Sequence, residues 1–568
     1  MRAGLIFSSV LAGCVKAPAP TLLVTPAPVC GTMADGSRVF KILHLNDVYR
    51  IEGLLDGRGG LARVATLRSA LEATCPELLI THGGDLLSPS LLSKSTNSEA
   101  TGGKRRVQFA GAHMIDILSR LDGAPDAFDD RLVVAIGNHE FDSRDADFAP
   151  ALDRMFEVSG FTWLDTGLTW GRAEDGTPLI AADNLVATHT VNLAGVNVGL
   201  FGVTIDKDGV DYVTTTSDYA AIARSAIATL EAADAEVILG LTHLDIRDDL
   251  ALLEAVPEHP HLILGGHNHT AMTRAASDGR LVVKADADAT TVRIVTVTVA
   301  PDGTVSVQTD VPDDAGTPLG PDAPAPDPAV QGAIEGWLAA LDASFCGLDA
   351  LGCLSAPLTV AGTTLVAEEL EIRRYETNLG DWVADQALGV FSEHAPDLAF
   401  INSGGLRLNQ NITAGTAIPR QVVEELFPYS ARLSLISLTG AELQAVAARS
   451  VEAWEGNGHW LQVSGWGFRH DPEAGTAADL ALLPAGGEAV AIDPEATYRV
   501  VVNDYLIADW SDRDGYTFPI RALDVAADGT DLKGVVMEAL RAAGADGISP
   551  EVEGRVCNTL RAGACRLP

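Results

Sequence analysis

Up to about Ala300 the chain alternates short apolar runs, bounded by glycine, with segments whose apolar residues return every three to four positions. The short runs read as buried strands, and Leu61, Val64, Leu67 and Leu71 after the Gly59-Gly60 turn read as one face of a helix. Strand and helix in alternation predict an α/β region. Five of the runs share one kind of ending: residues 39–47 (VFKILHLND), 78–85 (LLITHGGD), 131–142 (RLVVAIGNHEFD), 236–245 (EVILGLTHLD) and 261–269 (HLILGGHNH) each finish in Asp, Asn or His. Open α/β sheets place their chemistry just past strand ends, so this repetition predicts a single metal site. Residues 311–328 (VPDDAGTPLGPDAPAPDP) read as a linker. A helix is expected over 329–345, with Ile334, Trp337, Leu338 and Leu341 on one face, and a second region with its own strands and helices from about Pro357.

The N-terminus changes the expected compartment. Arg2, an apolar stretch over 4–13 and then Cys14 are too short to span a bilayer and are built like a secretion signal. Leu11, Ala12, Gly13 and Cys14 look like a bacterial lipoprotein box, which predicts an exported protein, periplasmic or at the cell surface, attached to a membrane through lipidated Cys14. An ordinary cleaved signal is the alternative. With Cys14 set aside, Cys30, Cys75, Cys346, Cys353, Cys557 and Cys565 are an even set, which in an oxidising compartment predicts up to three disulfides. No CxxC pair is present, which argues against a thiolate zinc site. At 568 residues the chain is long for one core and predicts two domains. The formal net charge of -38, from 77 acidic and 39 basic residues, would repel a nucleic acid polymer. An anionic substrate would need positive charge of its own at the site.

The strand endings supply candidates for that charge. Asp47, Asp85, Asn138, His243, His267 and His269 offer imidazole nitrogen with carboxylate or amide oxygen, a set suited to zinc, manganese or iron and less to calcium. His139 and Asp142 stand beside Asn138. Two divalent ions about 3.5–4 Å apart clamp a phosphoryl group and stabilise both the entering and the leaving oxygen. Taken singly, such a His or Asp is more often a hydrogen-bonded core residue or a turn residue.

In order, Asp47, the GGD of 83–85, the GNHEFD of 137–142, Thr242-His243 and the GGHNH of 265–269 resemble the calcineurin-like metallophosphoesterases, and within them the two-domain 5'-nucleotidases and UDP-sugar hydrolases. The resemblance implies a four-layer α/β/β/α sandwich over 38–310, a linker and helix over 311–350, and an α/β substrate-binding domain over 351–568, with 1–14 as the signal and 15–37 as a tether. It also implies two divalent metal ions, of manganese, zinc, cobalt, iron or calcium, bridged by Asp85, with Asp47 and His269 on one and Asn138, His243 and His267 on the other. His139 would donate to the phosphoryl oxygens or the leaving group, and Asp142 would orient its imidazole. One position departs: the family's first motif is usually D-x-H, and here Tyr49 follows Asp47-Val48. A neutral phenol with a pKa of ~10 is a poor ligand beside imidazole. The first metal is therefore expected to bind more weakly, to take a water there, or to be of another kind.

The second region carries further matches. Arg373 with residues 376–380 (ETNLG) resembles the family's R-x-x-x-x-N-x-G element, and residues 402–407 (NSGGLR), with Asn402, Gly404 and Arg407, resemble its substrate loop. Two arginines suit an anion held in a guanidinium fork, though surface ion pairing would also explain them. The resemblance implies an aromatic clamp on the nucleoside base from Tyr429 and Tyr505, with Trp510 as an alternative to the latter, and a ribose contact from Asp514 in a loop where Asp512 and Arg513 replace two glycines. Core packing would account for either aromatic almost as well. The implied reaction is hydrolysis of nucleoside 5'-monophosphates by a metal-activated water, the second domain rotating to deliver substrate. UDP-sugars, nucleoside di- and triphosphates and 2',3'-cyclic nucleotides are rival substrates, and a catalytically weak surface nucleotide-binding protein is the rival of another class.

Overall fold

The structure, a computed structural model, describes residues 30–92, 111–257, 259–311, 314–320, 324–346, 352–429, 431–452, 454, 458–507, 516, 521–522, 530–561, 563 and 565–567. Its first strands are apolar on both faces because both faces are covered, the condition that makes parallel strands read as continuous hydrophobic runs. In Arg38–Leu45, Phe40 and Ile42 point between two sheets while Leu43 and Leu45 point under helices. The same alternation separates Val133 from Leu132 and Val134, and Leu239 from Ile238.

The first sheet runs Val305–Thr309, Thr291–Val299, Arg38–Leu45, Leu79–His82, Asp129–Ala135, Phe161–Leu164, Leu185–Val186, parallel from Arg38–Leu45 onward. The second runs Met272–Ala275, Leu281–Lys284, Leu262–Gly265, Val237–His243, Val196–Thr204, Thr188–Leu193, with a parallel centre. One apolar layer lies between the sheets, and one lies under the helices outside each. The result is the α/β/β/α sandwich expected.

The second α/β domain is centred on the sheet Leu461–Ser464, Leu398–Asn402, Thr497–Asn503, Leu433–Thr439, Arg521–Ala522. Ala399, Ile401 and Val501 face one core and Leu398, Phe400 and Val500 another. Between the domains, the helix Pro328–Cys346 buries Val330, Ile334 and Leu341 in the first core, joined by Leu354, whereas Ala361 already belongs to the second. The crossing is therefore short, and the helix is part of the first domain's packing. Thr317–Pro318, inside the segment read as linker, pairs with Thr291–Val299. Three disulfides, Cys30–Cys75, Cys346–Cys353 and Cys557–Cys565, use all six cysteines after Cys14. Among the described residues no helix is long and apolar enough to cross a membrane.

Candidate active site

Parallel pairing brings strand ends into line. Leu45 is opposite His82, and His82 opposite Val134, so Asp47, Asp85 and Asn138 follow neighbouring ends of one sheet. Thr242 opposite Gly265 does the same for His243 and His267 on the other. The chain then turns back sharply: Asp47 (φ 51°), Asp85 (φ 57°), His267 (φ 77°) and His269 (φ 57°) all adopt left-handed backbone. Such conformations cost of order 1–3 kcal/mol each and collect at functional sites. The neighbouring glycines have a steric reason. A Cβ on Gly137 would lie 2.2 Å from Asp85 Oδ1, and one on Gly84, itself at φ +89°, would lie 2.7 Å from His243 Nδ1.

Six candidate ligands meet here. The Asp85 Oδ2 oxygen is 3.3 Å from His243 Nε2, and Asp47 Oδ1 is 3.3 Å from His269 Nε2. Asn138 Oδ1 stands 3.2 Å from both His243 Nε2 and His267 Nδ1. The ligand atoms of Asp47, Asp85 and His269 all lie within 4.8 Å of one another. Outer contacts aim these rings. His243 Nδ1 is 2.7 Å from the Gly83 carbonyl, so a neutral ring donates there and turns its Nε2 lone pair into the site. The Tyr49 hydroxyl stands inside the group, 3.0 Å from Asp85 Oδ2 and 2.9 Å from His269 Nε2. From the sequence, a phenol at this position reads as a poor ligand beside imidazole.

His139 and Asp142 pair as expected of a dyad, with Nδ1 2.9 Å from each carboxylate oxygen. Nε2 is left facing the site, 3.9 Å from Asp85 Oδ2. Glu140, absent from the predicted site, is buried and accepts from the amides of Asp85 (3.1 Å), Leu86 (2.7 Å), Leu87 (2.8 Å) and Gly137 (2.6 Å). It ties the GGD and GNHEFD turns together. Its signal was a carboxylate between His139 and Phe141 with no place on a solvent face. Lys207, also unforeseen, donates to the Asn138 carbonyl and lies 3.4 Å from Asp142 Oδ1.

The second domain reaches into the first. Glu369 Oε2 is 2.6 Å from His269 Nδ1, and its other oxygen is 2.5 Å from Arg373 Nη1. Arg50, braced by Asp288 of its own domain (3.2 Å), ties the domains together through Glu425 (3.3 Å) and the Leu408 carbonyl (2.7 Å). A cleft of about 1300 Å³ is lined by Asp85, Asn138, His139, His267 and His269 from one side and Arg373 and Arg407 from the other. Arg407 Nε donates to Gly404 O at 2.8 Å, bracing its own loop. Asn402 is buried and accepts from Asn503 Nδ2 at 2.8 Å, while a Cβ on Gly404 would lie 2.9 Å from Gly458 Cα. Both residues therefore have packing reasons within the loop. Tyr429 is 44% exposed, within electrostatic reach of Asp142, Arg407 and Arg373, and Tyr505 packs half-buried on the second domain's core. Cys14, Trp510 and Asp514 lie outside the described residues.

The buried acids and imidazoles of the site set one another's protonation. Burial opposes charge on His243, yet the Asp85 and Asp47 carboxylates outweigh it and raise the imidazole to about 9. His269 is likewise raised against burial, by Glu369 and Asp47. Burial would raise Asp85, but His243 and His139 hold it well below the usual carboxylate range. His243 and His269 thus carry positive charge beside the two acids, whereas burial and the charge on His243 push His267 down to about 4. Two carboxylates, three imidazoles and one amide at these separations fit divalent ions of the zinc, manganese or iron type.

Residues 360–518 match the family model of the 5'-nucleotidase C-terminal domain. The trifunctional nucleotide phosphoesterase protein YfkN of Bacillus subtilis is 27% identical over 395 residues, 64% of this chain, and the chain spans 25% of that protein's length. The solved structure of a 5'-nucleotidase precursor from Thermus thermophilus matches with a TM-score of 0.72 at 23% identity, over 92% of this chain and 100% of that one. The sulfate thiohydrolase SoxB of Thermus thermophilus, solved with glycerol, matches with a TM-score of 0.65 at 16% identity, over 94% and 98%. Residues 360–518 are thus similar to the 5'-nucleotidase C-terminal domain, and the two-domain fold around them is that of the solved 5'-nucleotidase precursor.

Proposed function

We propose that the protein is an exported phosphohydrolase that uses two divalent ions to cleave nucleoside 5'-monophosphates into nucleoside and phosphate. The observation that carries this reading is the cleft itself. Asp85, Asn138, His139, His267 and His269 line it opposite Arg373 and Arg407, so the metal-ligating set and the guanidinium groups address one space. Ions held by Asp47, Asp85 and His269 and by Asn138, His243 and His267 would draw charge from the phosphoryl oxygens and activate the attacking water.

The remaining work falls to the protein's own groups. Arg373 and Arg407 suit a forked grip on the anion. His139, its Nδ1 held by Asp142, presents Nε2 as a hydrogen-bond donor to the transferred group or a proton donor to the departing ribose oxygen. Glu140 keeps the loops of Asp85 and Asn138 in register. Tyr429, 44% exposed, would stack on the base. The disulfides suit an oxidising compartment and so support export, with Cys14 as the lipid anchor.

The test is phosphate release by the purified protein from AMP, UDP-glucose, ADP, ATP and 2',3'-cyclic AMP under one set of conditions. AMP is expected to show the highest kcat/KM; its ranking last would sink the monophosphate reading and leave the metal site for one of the others.

A further inference from the structure

We propose that the Tyr49 hydroxyl is itself a ligand of the metal held by Asp47, Asp85 and His269, binding as a phenolate, so that this half of the site favours a harder ion than the other half and accepts ferric iron in place of a divalent one. The proposal rests on the two-metal phosphohydrolase reading and deepens it.

The placement of Tyr49 is fixed from several sides. Its backbone N–H donates to Asp288 Oδ1 at 2.8 Å, and its ring meets the edges of His269 and His139, with centroids 5.4 Å and 6.1 Å away. The hydroxyl oxygen is thereby set 2.9 Å from His269 Nε2, 3.0 Å from Asp85 Oδ2 and 3.4 Å from Asp47 Oδ1, while His269 Nε2 is 3.3 Å from Asp47 Oδ1. Donor atoms each about 2.1 Å from one ion, at tetrahedral or octahedral angles, stand about 2.9–3.4 Å apart. All of these separations fall in that range. They are the edges of a coordination polyhedron.

The placement of the hydrogens agrees. A phenol has one proton to donate, and its oxygen faces two carboxylate oxygens and an imidazole nitrogen, the ring's other nitrogen being engaged by Glu369. In the metal-free protein that proton and the one on His269 Nε2 lie between the four donors, in the place an ion would take. A cation among the four donors serves them all, both protons leaving to solvent as it binds.

The two halves then differ in kind. Asp47, Asp85 and Tyr49 give three anionic oxygens with the single imidazole of His269, whereas Asn138, His243 and His267 give a neutral amide and two imidazoles beside the shared Asp85. Hard oxygen anions favour ions of high charge, and imidazole suits zinc-like divalent ions.

The test is to strip the full-length protein of metal, load it with ferric iron alone, and record its visible absorption spectrum together with its iron content. A phenolate-to-iron charge-transfer band is expected in the wild type and not after loading with zinc. It should be lost in both Tyr49→Phe and Tyr49→His, each shown by circular dichroism to be folded, and Tyr49→His should still hold zinc. Iron bound without the band, or a band that survives in Tyr49→Phe, would overturn the ligand. AMP hydrolysis by an iron-loaded protein that lacks the band would overturn the ligand alone. A folded wild type that binds no ion of either kind would overturn the two-metal reading with it.

Discussion

The two sides of the cleft are built in different ways. On the first domain's side, the candidate ligands sit at the ends of buried parallel strands, four of them in left-handed backbone. Asp47, Asp85 and His243 are within 1% of full burial, and Glu140 ties neighbouring turns together. On the second domain's side, Arg373 follows the short helix Glu369–Ile372, Arg407 leans on its own loop, and Tyr429 is 44% exposed. Chemistry is fixed by the fold and recognition is delegated to loops. Changes on the first side should therefore abolish turnover, and changes on the second should weaken binding by degrees.

The largest effect is expected for Asp85→Asn. It removes the carboxylate that faces both His243 and Tyr49, and a loss of several kcal/mol of transition-state stabilisation lowers kcat by about a thousandfold or more. A residual rate within tenfold of wild type, with normal metal content, would break the contrast between the two sides. His139→Ala should lower kcat by about 10²–10⁴-fold with little change in KM, which steady-state kinetics on AMP would read directly. A rise in KM alone would move His139 from chemistry to binding. Glu369→Gln sharpens the comparison because Glu369 belongs to the second domain and holds a ligand of the first. Loss of an outer partner of this kind costs about 10–100-fold in metal affinity or activity, measurable by competition with a chelator.

Proton linkage gives a smaller, graded effect. In the metal-free protein His243 titrates near 9 instead of 6.5, so its protonation stabilises the fold fully below about 6.5 and that contribution is lost as pH rises through about 9. The melting temperature of the stripped protein should fall across this window. Metal affinity should rise across it by about tenfold per pH unit, because the ion competes with the proton. Equal affinity at pH 6.5 and 9 would contradict the assignment of His243 as a ligand. The smallest effect is expected for Tyr429→Ala, about 1 kcal/mol of lost base stacking, read as a severalfold rise in KM for AMP with kcat unchanged.

Much of this site was legible in the sequence because both causes are local. An apolar run marks the buried strand, and the residue after it must lie at the strand's end, so Asp47, Asp85, Asn138, His243 and His267 could be gathered without coordinates. The disulfide partners Cys346 with Cys353 and Cys557 with Cys565 are likewise close in sequence. What escaped depends on long-range placement. Glu369 reaches His269 across 100 residues of chain, and no local pattern announces it. Lys207 approaches Asn138 across 69 residues. Glu140 lies inside the motif, but its four amide partners come from two separate turns. The neutral chemistry of Tyr49 says nothing of the three polar atoms surrounding its oxygen.

The most direct test of the central claim is phosphate release from AMP by the full-length protein, stripped with a chelator and given back manganese in steps while bound metal is counted. The account predicts no release from the stripped protein and a rate that saturates at about two ions per chain. Undiminished release from metal-free protein would contradict it.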